Sequence, residues 1–393
     1  MKSPPLHPKL SHLTQSQLEE LISGYYAGEN VRLLIEKFGI NCSTNQFTKL
    51  LPPLIDHSSQ CPVCGSPMMK VRVSKSSRIL GSEPVQCSSC EHTCSEYCAC
   101  QFCKNQRHKQ QQTHLEKRRN LVVEYCRVPD LVNTHDLMAG NLSLTEAVAL
   151  LALVRTCGYM DKTDGRVLES FQNATIPFAP NGSYGDELRD LLVDRGLINI
   201  SSHSPLDSFV FEDDEVTGYY PSHVRWEFLC RNPVTLIRQI EEYALLGAWP
   251  EEWTMQIFEL CWNLAYAECM EFYEHAARQR GLTVSGEQSI KAMLNNLLAD
   301  FSVAQCYHII HAGAKAAADF MVRSKSTKLH ASNYMIGACQ RWADRARSEK
   351  WDVSVYRRNF DLPRSMVSFV LHDVFTKIGE EAFALTLFKA AAM

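Results

Sequence analysis

The sequence predicts a mainly helical, multidomain protein built around one metal-dependent module. Three observations predict it. At 393 residues the chain is long enough for two to four domains with substantial cores. Eight of its sixteen cysteines fall between Cys61 and Cys103, in a stretch too polar to fold by burial alone. From Val234 onward, apolar residues recur at helical spacing almost without interruption. These patterns divide the chain into a trihelical segment (1–55), a cysteine-rich module with a basic extension (56–128), a small α+β domain (129–230) and an all-α domain (231–393). A formal charge of -4 gives no global attraction to nucleic acid. No apolar run reaches the roughly twenty residues of a membrane span, and residues 1–10 hold prolines but no apolar core. A soluble, cytoplasmic protein with no membrane partner is therefore expected.

In the first segment, Thr14 is placed to cap a helix with Leu18, Leu21, Ile22 and Tyr25 on one face, and Gly28 interrupts it. A second helix carries Val31, Leu34, Ile35 and Phe38. Gly39-Ile40 makes a turn, Ser43 or Thr44 caps a third helix through Phe47 and Leu50, and Pro52-Pro53 ends it. The run Val31-x-x-Leu34-Ile35-x-x-Phe38-Gly39-Ile40, followed by Ser43-Thr44, resembles the helix-turn-helix of transposases, resolvases and small regulators. The resemblance implies that the third helix enters the DNA major groove with Asn45, Gln46, Thr48 and Lys49 as its readers. A trihelical bundle used for packing or protein contact is the competing use.

The cysteine stretch reads Cys61-Pro-Val-Cys64-Gly65, then an insert, then Cys87-Ser-Ser-Cys90-Glu-His92. Two residues between paired cysteines let a tight turn aim both sulfurs at one ion, and two such turns complete the tetrahedral shell that zinc prefers. Disulfides and an iron–sulfur cluster are the competing uses of these thiols; a reducing compartment ranks disulfides lower, while four thiolates suit either metal centre. The paired turns resemble the zinc-ribbon superfamily over this stretch alone. Cys94, Cys98, Cys100 and Cys103 follow at irregular spacing, and His92 or His57 is able to replace one of them, so a second zinc is also expected. In a shell of cysteines the metal holds shape and has no open position for substrate.

Local basic clusters surround this module. Lys70 and Arg72, with Lys75 and Arg78, lie in or just after a β-prone run beginning at Met69; Lys104, Arg107 and Lys109 follow Cys103; Lys117, Arg118 and Arg119 come next. Beside a helix-turn-helix and zinc knuckles, such clusters are expected to contact the phosphates of double-stranded DNA, although a solvated helix face would look the same. The expectation is thus a zinc-containing DNA-binding protein with a regulatory, mobile-element or antiviral-defence role. The alternatives are a zinc-stabilised adaptor that holds a protein partner or self-associates, and an effector whose helical domain acts on nucleic acid or protein.

Further on, Ser143 and Glu146 form a capping box for an apolar helix. A helix through Leu188, Leu191 and Leu192 ends in Arg195-Gly196-Leu197-Ile198. That ending resembles the core of winged-helix domains, with Ser208–Phe211 and Tyr219-Tyr220 as the wing hairpin. Its tip, Glu212–Glu215, is acidic and repels phosphate, which favours a structural or protein-contact role. In the helical remainder, Glu268, Glu271, Glu274 and His275 lack a Glu-x-x-His partner motif, and His308, His311 and His330 name no reaction. No catalytic residue is assigned. Tyr356–Phe360 interleaves aromatic and basic residues, for which pairing with nearby acids is the plainer explanation.

Overall fold

The computed structural model describes residues 6–75, 85–93, 95–127, 136–161 and 165–391. The chain is mainly helical, 57% helix and 9% strand, with small sheets. It forms two compact units, Met1–Lys117 and Arg118–Met393.

The first unit opens with helix α1, Gln15–Ala27. Its capping box is complete: Gln17 N–H donates to Thr14 Oγ1 and Thr14 N–H to Gln17 Oε1. Gly28, at φ +104°, ends it in a conformation open to glycine without strain. Helix α2, Val31–Lys37, starts where Asn30 Oδ1 accepts from Arg32 N. Leu18, Leu21, Tyr25, Leu34, Phe38, Phe47 and Leu50 make one core, as the helical spacing predicts. The third helix differs from expectation. Only Phe47–Leu50 is helical, a single turn (α3), and Asn45 and Gln46 lie in the turn before it. The turn is held by Gln46 N–H to Ser43 C=O, and Leu51 turns extended before Pro52, whose ring disfavours helix in the residue preceding it.

Strands β1 (Leu54–Gln60), β2 (Pro67–Lys70) and β3 (Val85–Cys87) form an antiparallel sheet in that order. The segment after β2 packs back on α1. Tyr26 donates its hydroxyl proton to Val73 C=O, Arg72 donates to Pro52 C=O and lies over the Tyr26 ring, and Lys75 reaches Glu29 C=O. The trihelical segment and the sheet therefore share one unit. Helix α4, Gln101–Tyr125, leaves the cysteine stretch with Val122 alone buried among its residues.

In the second unit, α5 (Leu144–Cys157) is central, with Ala147–Leu153 sealed from solvent and the Ser143/Glu146 capping box present. Helix α6 (Gly182–Asp194) follows, and Leu197 N–H closes its end on Leu192 C=O. Strands β4 (Val167–Leu168), β5 (Ile198–Ile200) and β8 (Trp226–Phe228) form a sheet with β8 in the middle. Strands β6 (Phe209–Glu212) and β7 (Glu215–Tyr219) form the expected hairpin. Its two central residues, Asp213 and Asp214, both have positive φ, as a tight primed turn requires.

The rest is helical: α7 (Pro233–Leu246), α8 (Glu251–Gln279), α9 (Glu287–Leu298), α10 (Val303–Ser324) and α11 (Lys328–Ser348), then short helical segments to Ala391. Helices α10 and α11 pack most closely. A Cβ added at Gly313 would collide with Cys339 Sγ and crowd the Cys339 amide. Gly313→Ala is expected to destabilise this unit by about 1–3 kcal/mol through overpacking, measured as a lower midpoint in denaturant titration. Among the described residues, no helix is long and apolar enough to cross a membrane.

Candidate metal centres

The first cluster is built by the sheet. β1 delivers the chain to Cys61, and the turn Cys61–Gly65 closes when Gly65 N–H donates to Cys61 C=O (2.9 Å) and Cys61 N–H to Ser66 C=O (2.8 Å). Gly65 sits at φ +72°, so glycine suits the close of this turn. β3 pairs with β2, placing Cys87 across from Met68, and a second turn runs through Cys90 to Glu91 at φ +58°. The two turns face each other. Cys61 and Cys90 Sγ are 3.6 Å apart, Cys64 and Cys87 Sγ 3.4 Å, and all four sulfurs lie within 4.8 Å of one another. A zinc tetrahedron with bonds of about 2.3 Å sets its sulfurs about 3.8 Å apart, so the donors stand close to their coordinated positions. Amides of Val63, Ser89 and Cys90 point at Cys61 or Cys87 Sγ at 3.4–3.5 Å, the donors that stabilise thiolates.

The second cluster begins two residues later. Cys87 N–H donates to His92 C=O, tying the loops of the two clusters together. His92 Nδ1 lies 3.4 Å from Cys98 Sγ, 3.6 Å from Cys100 Sγ and 3.4 Å from Cys103 Sγ. A tetrahedral zinc with one nitrogen and three sulfurs gives N···S separations of about 3.6 Å. His92 is thus the histidine that joins the later cysteines. Cys94 and the side chain of His57 lie outside the described residues. Cys100 precedes α4 and Cys103 sits in its first turn, where free amides and the helix dipole favour thiolate. Arg107 fastens the intervening loop by donating to Glu96 C=O (3.1 Å) and Cys98 C=O (2.6 Å).

Protonation within each cluster shows what the donors lack. The Ser66 hydroxyl and amide, then Cys87 and Cys90, hold the Cys64 thiol down to about 6. The His92 amide pulls Cys90 the same way, but burial and its sulfur neighbours outweigh it and push that thiol up to about 12. Likewise the Thr93 and Cys100 amides hold Cys98 at about 5, while burial and the hydrogen bonds to Cys100 and Cys98 raise Cys103 to about 11. Sulfurs this close cannot all carry charge by themselves. A divalent cation removes the conflict, and soft tetrahedral donors suit zinc. Both clusters could hold a metal ion of that kind. A cysteine-only shell also suits an iron–sulfur centre, but a single histidine among three cysteines departs from the four-thiolate and paired-histidine sets of such clusters.

Comparison of the chain with protein-family models, curated proteins and solved structures finds no match in any of the three.

The basic residues singled out in the sequence divide into two groups. Arg72 and Arg107 serve the fold through the contacts above. In the second unit, Arg118 lies over the Phe211 ring (4.6 Å), and Arg119 donates to Ser202 and Ser204 C=O (3.0 and 2.9 Å). Lys104, Lys109 and Lys117 stay exposed on α4. Thr48 and Lys49 fall in α3, and Lys70 ends β2 opposite Leu54. Two exposed aromatics beside the second cluster, Tyr97 and Phe102, went unremarked in the sequence because the cysteines around them dominate its pattern.

The polar residues of α8 and α10 do not assemble into a metal cluster among the described residues. Glu268 pairs with Arg358 (3.0 Å), His311 lies between Arg280 and Tyr356, and His275 meets Asn359. Burial, then the neighbouring Glu268, push Glu271 up to about 7.

Proposed function

We propose that this chain is a zinc-containing DNA-binding protein whose contact surface is its amino-terminal unit. One observation carries the reading: α4 stands exposed and basic, rooted by its first turn in the second cysteine cluster. Between Gln101 and Lys117 it holds Lys104, Arg107, Lys109 and Lys117 against one carboxylate, Glu116. A helix with so little buried surface draws little support from packing. The metal would hold its start, and the phosphates of DNA would be its counterpart. Its seventeen residues to Lys117 span about 25 Å, enough to follow a groove. With α3 reduced to one turn, Asn45, Gln46, Thr48 and Lys49 carry less of this reading than α4 does.

The second unit argues for a different role. Its strand and helix order, with β8 between β4 and β5, supports the winged-helix-like reading. The exposed side of α6, however, carries Asp186, Glu187, Asp190 and Asp194, and the hairpin tip is acidic too. Both repel phosphate, so this unit is read as a structural or protein-contact module.

A salt titration of duplex binding by the full chain tests the proposal. Affinity is expected to fall steeply with salt, with Lys104→Gln and Lys109→Gln each reducing the log–log slope by about 0.9. No binding at low salt by metal-replete protein would contradict it.

A further inference from the structure

One face of α4 within the first unit is open and continuous. Among the described residues, Phe102, Gln106, Lys109, Gln110, His114 and Lys117 line it, with Asn105 and Thr113, and no carboxylate does. Phe102 is an odd residue for such a place. It is 52% exposed, one residue before the ligand Cys103, and α4 offers it no apolar cluster. Tyr97, 89% exposed, stands next to the ligand Cys98 on the loop that Arg107 fastens through the carbonyls on either side of it. Two aromatic rings are thus held out to solvent on a backbone that the Arg107 guanidinium fastens and a metal would fix.

Phosphates alone do not reward an exposed ring. Base faces do, and stacking on them is the usual partner of a basic groove that tracks a strand. In a duplex those faces are hidden in the stack, whereas a single strand presents them. The amides and lysine of this face complement the rest of such a ligand: Gln106 and Gln110 can bond base edges, while Lys109 meets phosphate. A protein helix would instead want an apolar stripe, and Phe102 is the only apolar residue on this face among the described residues.

Resting on the DNA-binding reading, we propose that this face takes a single strand, with Phe102 and Tyr97 stacking on unpaired bases. The preferred ligand is then single-stranded DNA or a duplex with opened base pairs.

The test compares a fluorescent sixteen-nucleotide oligo(dT) with a sixteen-base-pair duplex, titrated with the full chain in about 0.1 M salt, with metal content measured on every sample. Phe102→Ala and Tyr97→Ala are each expected to weaken oligo(dT) binding about 5- to 100-fold, leave duplex binding within about twofold, and retain metal. Phe102→Trp is expected to restore the affinity, since any aromatic face stacks. Equal affinity of Phe102→Ala and wild type for oligo(dT), with duplex binding intact, overturns the stacking proposal and leaves the DNA reading standing. Failure of wild-type, metal-loaded protein to bind either probe overturns both.

Discussion

Stripping metal from the chain is expected to unfold the residues between Cys61 and Cys103 and to fray the start of α4, while the second unit keeps its structure. The sheet of the first unit has three short strands, and the core beneath its knuckles consists of Cys61, Met68 and Cys87. So little apolar burial cannot offset the entropy of ordering the turns. A bound metal would supply the missing free energy, which is about 10–16 kcal/mol in small zinc modules. The second unit has a large apolar core built on α5, α8 and α10 and no need of the ion. Hydrogen exchange before and after chelation separates these cases. Amides of 61–70, 85–93 and 95–105 are expected to lose protection, and those of α5 to keep it. Unchanged protection near the cysteines would contradict the metal-dependent fold.

The other large effect is expected inside the second unit, at Arg358. Its guanidinium bonds Glu268 on α8 (3.0 Å) and Glu380 (3.1 Å), and Arg364 continues the network to Asp373 and Glu380. Glu268 is 4% exposed, so its carboxylate has lost most of its water. Arg358→Ala leaves that charge buried and unpaired, at a cost of about 3–5 kcal/mol in denaturant titration. Replacing both partners, Arg358→Met with Glu268→Leu, is expected to recover part of the loss, because an apolar pair of similar volume needs no hydration. If Arg358→Ala were as stable as wild type, the network would be an exposed surface feature energetically.

Particular residues show what the sequence made legible. Leu18, Leu21, Tyr25 and Leu34 announced a helical core by period, and the Ser143/Glu146 pair announced the start of α5. Cys61, Cys64, Cys87 and Cys90 announced a tetrahedral set by spacing, since a two-residue gap lets one tight turn aim both sulfurs at a shared ion. The second cluster was half legible. Its thiols were visible, but choosing His92 required knowing that the second turn ends where Cys87 N–H meets His92 C=O, a contact between loops. The third helix was overread because Phe47 and Leu50 satisfy helical spacing in a single turn as well as in three. Charge was the weakest guide. Arg72, Arg107 and Arg119 look like their neighbours in sequence, yet each is drawn to backbone carbonyls that only the fold brings near. The basic pentapeptide ending at Phe360 is partly neutralised by carboxylates instead, since Arg358 pairs with Glu268 and Glu380.

The most direct test of the two-centre account is X-ray absorption at the zinc edge on the purified chain, with the metal counted on the same sample. Two zinc ions per chain are expected, sharing seven sulfurs at about 2.3 Å and one nitrogen at about 2.0 Å. His92→Cys should shift that average to sulfur alone without loss of metal. One ion per chain, a shell rich in oxygen, or iron in place of zinc would contradict the account.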